Sequence, residues 1–282
     1  MDAARYYREL TGHYQSWGGR SLGWHYGYSD PDDHDLDRAL LRSNEILVDG
    51  VDLSPASRVL DVGFGNGGLA VWLAKRSGCR VTGISIVEEH AALAAGVARE
   101  QGVASLCRFL PMDMNALAFA PATFDLVTNQ DTFCYALDKG AYLERVRRLL
   151  APGGHWRGIV FSLGDDALTS RQRAAYRVVR EGFHIPHLLP FPETQGLLHA
   201  AGYRDVRVRD LTPQCQANAA YQRRLCRGPL WLIRLRLDWI AYSRDPARRR
   251  NRQGHVQAAD AFCRGLHDGS FRMVFFSGRN PG

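Results

Sequence analysis

Lysine is nearly absent from this sequence: Lys75 and Lys139 are the only two in 282 residues. Arginine therefore carries almost all of the positive charge, and the formal net charge of +7 reflects a choice of base as much as a need for one. Thirteen arginines stand against four acids between Arg204 and Arg252, which would suit an anionic partner. No RNA-binding signature accompanies them, so no nucleic acid partner is expected. There is no run of 18 or more apolar residues, and no membrane-spanning helix is expected. The start, "MDAARYYREL", lacks the apolar middle of a signal peptide. The six cysteines, at 79, 107, 134, 215, 226 and 263, include no CxxC pair. That argues against a zinc site or disulfide framework and predicts reduced thiols in a cytoplasmic protein. Repeats and low-complexity segments are also missing. What is present is enough apolar content, 45%, to build a large core.

An alternation of strands and helices starts near residue 58. Strands are predicted at 58–63, 80–85, 106–111, 124–130 and 156–162, with amphipathic helices at about 67–77, 87–101 and 139–150. This pattern predicts a parallel sheet with helices on both faces. Residues 165–190 read as helical with a Pro-rich end, and Pro192 opens a short helix that Gly202 ends. "YRDVRVRDL" at 203–211 and "FRMVFFSGR" at 271–279 read as two late strands, with a mostly helical 216–266 between them. Residues 1–50 are aromatic and polar, and helical periodicity is clear only over about 35–49. The domain reading is an N-terminal helical lid, 1–50, on a domain of 51–282. Helical cap insertions are expected at about 165–191 and 214–266.

"VLDVGFGNGG" sets Asp61, Gly63, Gly65 and Gly67 directly after the first strand and before a helix. Glycines there let backbone pass close under a ligand and let helix amides point at it. Taken alone this loop is a weak signal that would also serve a dinucleotide. Three further features agree in order: "FLPMDMNAL" after the third strand, "FDLVTNQD" ending the fourth, and "LLAPGGHWRG" with a Pro-Gly-Gly turn before the fifth. Together they resemble the class I S-adenosylmethionine-dependent methyltransferases over roughly 55–165. The resemblance implies an α/β, Rossmann-like seven-stranded sheet whose last strand is antiparallel. It implies S-adenosylmethionine as cofactor, with Gly63, Gly65 and Gly67 bordering its methionine part and Asp61 reaching its amino group. Asp113 would accept from the adenine amino group, beside Met114.

"VTGISIVEEH" has Ser85 where many relatives carry a ribose-binding acid. This resembles the subgroup of cyclopropane fatty acid synthases and many small-molecule methyltransferases. There the ribose is held by backbone at the position of Ile86 and by a glutamine, which His90 replaces here; Glu88 or Glu89 could substitute. "SLGWHYGYSD" is similar to the subgroup's N-terminal motif that closes over the sulfonium, and it nominates Tyr26 and Trp24. "TNQDTFCYA" resembles a stretch of geranyl diphosphate C-methyltransferases, with Asp131 in the place of their glutamate and Tyr135 matching their tyrosine. The end of the fourth strand faces the methyl donor in this fold, so Asn129, Gln130 and Asp131 would sit beside it. Methylating an alkene carbon leaves a carbocation, and a desolvated carboxylate can take the proton that must then leave.

The expected function is methylation of a small-molecule acceptor, above all C-methylation of a prenyl diphosphate, with magnesium needed if the acceptor is a diphosphate. The alternative is O- or N-methylation of a polyketide-like or phenolic natural product. A pericyclase-like protein that keeps the cofactor only structurally, and an RNA methyltransferase, are the other classes. "RRLCRGPLWLIRLR" at 223–236 could grip an apolar tail and its phosphates, or simply pack as an amphipathic helix. His184 and His187 lie near the Pro-rich bend as candidate bases or ligands, but no residue is assigned to a metal. A homo-oligomer is left open.

Overall fold

A computed structural model describes residues 3–17, 23, 25–30, 35–164, 167–238 and 245–282, with side chains of 13–17 left aside. Seven strands form one sheet in the order β3-β2-β1-β4-β5-β7-β6. They are β1 (Arg58–Val62), β2 (Arg80–Ser85), β3 (Cys107–Pro111), β4 (Phe124–Gln130), β5 (Leu150–Leu163), β6 (Arg204–Asp210) and β7 (Phe271–Arg279). The first five run parallel, and β7 is antiparallel to both β5 and β6. The order reverses between β1 and β4, so their carboxyl ends open the crevice where such sheets hold ligands.

Strand parity divides the core, because successive side chains point to opposite faces. Val59, Leu126, Ile159 and Phe275 face one side, with residues of α3 (Gly68–Ser77), α8 (Thr212–Arg234) and α9 (Pro246–Asp268). Leu60, Val127, Trp156 and Phe276 face the other, with α5 (Lys139–Leu149) and α7 (Phe191–Ala200). Runs such as Val59-Leu60 are buried on both faces, which explains why β1 reads as continuous rather than alternating hydrophobicity.

The fifth strand departs from expectation. It starts at Leu150 rather than 156, and the Pro-Gly-Gly stretch lies inside it. Gly153 takes the left-handed conformation (φ 81°) and its N–H bonds the Asn280 carbonyl at 2.8 Å. A register shift opposite, between Phe124 and Leu126, absorbs the irregularity as a bulge rather than a turn.

Helix α4 (Glu88–Glu100) covers β2 and β3, and α6 (Ser170–Gly182) packs on α9. Gly182 and Gly254 allow that crossing: a Cβ on Gly182 would come within 2.1 Å of the Gly254 carbonyl oxygen. Helix α2 (Leu36–Val48) begins at Asp35, whose side chain accepts from the Arg38 N–H. An additional helix, α1 (Ala3–Trp17), is amphipathic and buries Tyr6 and Leu10, one turn apart. Side-chain bonds add to that packing. The Tyr6 hydroxyl meets His255 Nδ1 at 2.7 Å, Arg8 pairs with Glu89 at 2.7 Å, and Asn251 bonds Glu9. The cysteines are free thiols. No described helix is long and apolar enough to cross a membrane.

Candidate active site

One cavity of about 440 Å³ opens at the carboxyl ends of β1, β2 and β4. Its floor is the glycine loop. Asp61 lies at the end of β1 and is 2% exposed; Oδ1 accepts from Thr128 Oγ1 at 3.2 Å, while Oδ2 has no partner. Burial pushes this carboxyl up to about 7, against the lowering effect of the Thr128 bond. Gly63 and Gly65 line the cavity in left-handed conformations (φ 84° and 55°). At Gly63 even a methyl is excluded, since it would lie 2.3 Å from Thr132 Cγ2. Gly67 does not line the cavity; it is the αL N-cap of α3, and a Cβ there would meet Ala94 Cβ at 2.9 Å. Its role is close helix packing, and Gly68 takes the cavity wall instead.

Ser85, Ile86 and His90 form one wall, and Asp113, Met114 and Asn115 the next. His90 is committed on both nitrogens: Nδ1 lies 3.2 Å from Ser85 Oγ, and Nε2 lies 3.0 Å from Thr11 Oγ1 of α1. Burial lowers its pKa to about 4. His90 thus ties the N-terminal helix to the cavity rim. Glu88 and Glu89 are not on the wall; Glu89 pairs with Arg8, so neither replaces the expected glutamine. Asp113 caps a 3-10 turn, and its Oδ1 accepts from both Asn115 nitrogens at 2.8 and 3.0 Å.

The end of β4 splits by parity. Gln130 lines the cavity and donates to Ser43 Oγ and Asn44 Oδ1 of α2 at 2.8 and 3.0 Å. Asn129 faces the opposite side and is fully buried. Its Oδ1 accepts from Tyr142 Oη and Trp156 Nε1 at 2.7 and 2.8 Å, and Nδ2 donates to Thr132 at 3.0 Å. Its placement beside the cofactor is therefore corrected: it is a core hydrogen-bond hub. Asp131 lines the cavity with φ 57°. Its Oδ2 accepts from the Tyr26 N–H at 3.1 Å, and its buried Oδ1 has no partner. It caps no helix, because the following 3-10 turn, Phe133–Tyr135, has Thr132 at its N-cap and no side-chain cap. Burial pushes Asp131 up to about 7, opposed by the Tyr26 bond.

Tyr26 is corrected as well. Its ring lies in the core against Phe161 and Phe262, with ring centres 5.8 and 5.5 Å away, and it is not on the cavity wall. Its backbone is what matters: N–H holds Asp131, and C=O accepts from His25 Nδ1 at 3.0 Å. A carbonyl can only accept, so His25 carries its proton on Nδ1 and a lone pair on Nε2. His25 lines the cavity, and burial lowers its pKa to about 4, so it is neutral at pH 7. The sequence reading missed it; the "WHYGY" run was the available signal. Trp24 lies outside the described residues.

The roof is formed by Ala3, Ala4 and Tyr7 of α1, with His184 and Pro186. Tyr135 lines the cavity; its hydroxyl receives a bond from Tyr7 Oη at 2.8 Å and donates to the Phe183 carbonyl at 2.7 Å. His187 stays off the wall beside Lys139. None of the arginines between 223 and 236 reaches the cavity, so their expected grip on substrate phosphates is not made there. The described residues of the wall include no arginine or lysine. Among the described residues no group of three or more His, Cys, Asp or Glu is placed to hold a metal.

A family profile described as a methyltransferase domain matches residues 60–157. Methyltransferase GfsG of Streptomyces halstedii is 33% identical over 199 residues, covering 67% of this chain and 69% of that protein. A glycine/sarcosine/dimethylglycine N-methyltransferase of Actinopolyspora halophila is 32% identical over 142 residues, 50% of this chain and 25% of that one. The geranyl diphosphate C-methyltransferase of Streptomyces coelicolor A3(2), solved with Mg2+, geranyl-S-thiolodiphosphate and S-adenosyl-L-homocysteine, superposes with a TM-score of 0.75. It covers 99% of this chain and 96% of that one at 19% identity, a likeness of fold. The chain belongs to the class I S-adenosylmethionine-dependent methyltransferases. It spans 25%, 50% and 47% of the length of the Actinopolyspora protein and two further curated methyltransferases.

Proposed function

We propose that the protein transfers a methyl group from S-adenosylmethionine to an alkene carbon of an isoprenoid acceptor, with Asp131 as the base. The observation that carries this reading is the unpartnered, buried Oδ1 of Asp131 on the wall of a cavity bounded by the glycine loop. The cofactor fits the residues present. Asp61 Oδ2 is a second buried acceptor without a partner, suited to an ammonium group, and Ser85, Ile86 and His90 form a wall for the ribose. Asp113 and Met114 flank the adenine in this reading, and Gly63 and Gly65 the methionine part. S-adenosylmethionine supplies an electrophilic methyl on a sulfonium. The chain's residues do the rest: α1 and the His184–Pro186 loop exclude water, and His25 Nε2 offers an acceptor that orients the substrate. Once the alkene carbon gains the methyl, Asp131 takes the proton from the adjacent carbon and the double bond re-forms. Residues 1–50 serve as the lid on a 51–282 catalytic domain, with caps from 165–191 and 214–266.

The described residues offer neither a metal cluster nor a wall arginine, so no step is routed through magnesium. The test is a labelled-cofactor screen against dimethylallyl, geranyl and farnesyl diphosphates and their free alcohols, with and without magnesium. Label in a new C–C bond supports the reading. Label found only on phenolic oxygen or amine nitrogen of polyketide-like or phenolic compounds replaces it.

A further inference from the structure

Helix α8 carries two stripes with different surroundings. Cys215, Asn218, Ala219, Gln222 and Cys226 recur at helical spacing and are buried. Gln216 on the same helix donates to the Leu266 carbonyl of α9 at 2.9 Å. The second stripe, Tyr221, Arg224, Leu225, Gly228, Trp231 and Leu235, has the same period and faces solvent. Trp231 is 59% exposed and Leu225 is 44% exposed. Arg227, Arg234 and Arg236 are exposed beside it. Arg223 is paired with Asp260 at 3.5 Å, but among the described residues Arg224, Arg227, Arg234 and Arg236 have no carboxylate in salt-bridge reach. None of the residues of this face lines the cavity.

We propose that this face seats the protein on an anionic phospholipid surface. Large exposed apolar side chains interleaved with unpaired arginines match the two requirements of interfacial binding: apolar area to bury among acyl chains, and cations for headgroup phosphate. Trp231 is suited to the boundary, with an apolar ring and a polar N–H. The helix lies on such a surface rather than crossing it, as no described helix is long and apolar enough to span. A second copy of the chain is a poor occupant, because a two-fold contact would set arginine against arginine. Nucleic acid would use the arginines and stack bases on Tyr221 and Trp231, but Leu225, Leu235 and Leu237 add exposed apolar area that acyl chains bury and a nucleic acid leaves in water.

The test uses the full chain and sedimented vesicles, either pure phosphatidylcholine or phosphatidylcholine with phosphatidylserine. Binding should require phosphatidylserine and fade as salt rises. Arg224→Gln, Arg227→Gln, Arg234→Gln and Arg236→Gln combined should weaken it at least tenfold, since each surface cation contributes up to about fivefold. Trp231→Ala alone should weaken it severalfold while the variant's melting temperature and S-adenosylmethionine affinity stay at wild type. The proposal is overturned by vesicle binding that ignores phosphatidylserine, by wild-type binding of the four-arginine variant, or by no vesicle binding. In the last case, light scattering showing a dimer lost in Trp231→Ala would assign the face to self-association. Salt-sensitive binding of single-stranded RNA would assign it to nucleic acid.

Discussion

Asp131→Asn separates a catalytic carboxylate from a structural one. The substitution is conformationally mild, because φ 57° is a region that Asn tolerates better than other non-glycine residues. The amide oxygen can still accept from the Tyr26 N–H, so the contact at 3.1 Å survives. What disappears is a buried ionisable group. Burial raises Asp131 from its ordinary 3.8 to about 7, which corresponds to roughly 4 kcal/mol between its two protonation states. The fold favours the protonated acid. This stabilisation is therefore full below pH 4 and is lost as pH climbs through about 7. Asparagine has no such loss. Without cofactor or acceptor, Asp131→Asn should melt close to wild type at pH 4 and several degrees higher at pH 8. Calorimetric affinity for S-adenosylmethionine should hold, and the single-turnover rate at saturating cofactor should fall by roughly 100-fold or more, the scale of lost general-base catalysis. An equal melting shift at both pH values would refute the burial argument. A normal single-turnover rate would refute the catalytic one.

Asp61→Asn should weaken S-adenosylmethionine binding by on the order of 1–3 kcal/mol, read by calorimetry, because it removes the charge that an ammonium would meet. Asp113→Ala should cost a similar amount of cofactor affinity and leave turnover at saturation nearly unchanged; a large turnover defect there would contradict an adenine-side role. Asn129→Ala should lower the melting temperature by stranding the Tyr142 hydroxyl and Trp156 N–H, with cofactor affinity within about twofold where the variant is folded. Thr11→Ala should loosen α1 at its His90 contact and speed proteolysis near the N-terminus, while the cavity floor and the global melting temperature change little.

Local chemistry in the sequence determined the sheet and much of the cavity floor. Near-continuous apolar runs mark strands buried on both faces, and glycines followed by a helix mark the loop beneath the crevice. The carboxylates Asp61 and Asp131 were legible because a charged group at the end of a buried strand has no packing reason to be there. Tertiary structure decided the assignments that depend on direction. Asn129 and Gln130 are adjacent in sequence, yet parity sends one into the core against Trp156 and the other to the cavity wall. "HYG" nominated the ring of Tyr26, but that ring fills an aromatic cluster, and its peptide group orients His25 and Asp131. Helix α1 is amphipathic, but the partners that its polar side chains meet, His90 and His255, lie far away in sequence. The arginine-rich segment was readable as amphipathic, but only the packing of α8 shows which face is turned outward. Periodicity records that a residue prefers burial; which neighbour buries it is set by contacts that close across the whole chain.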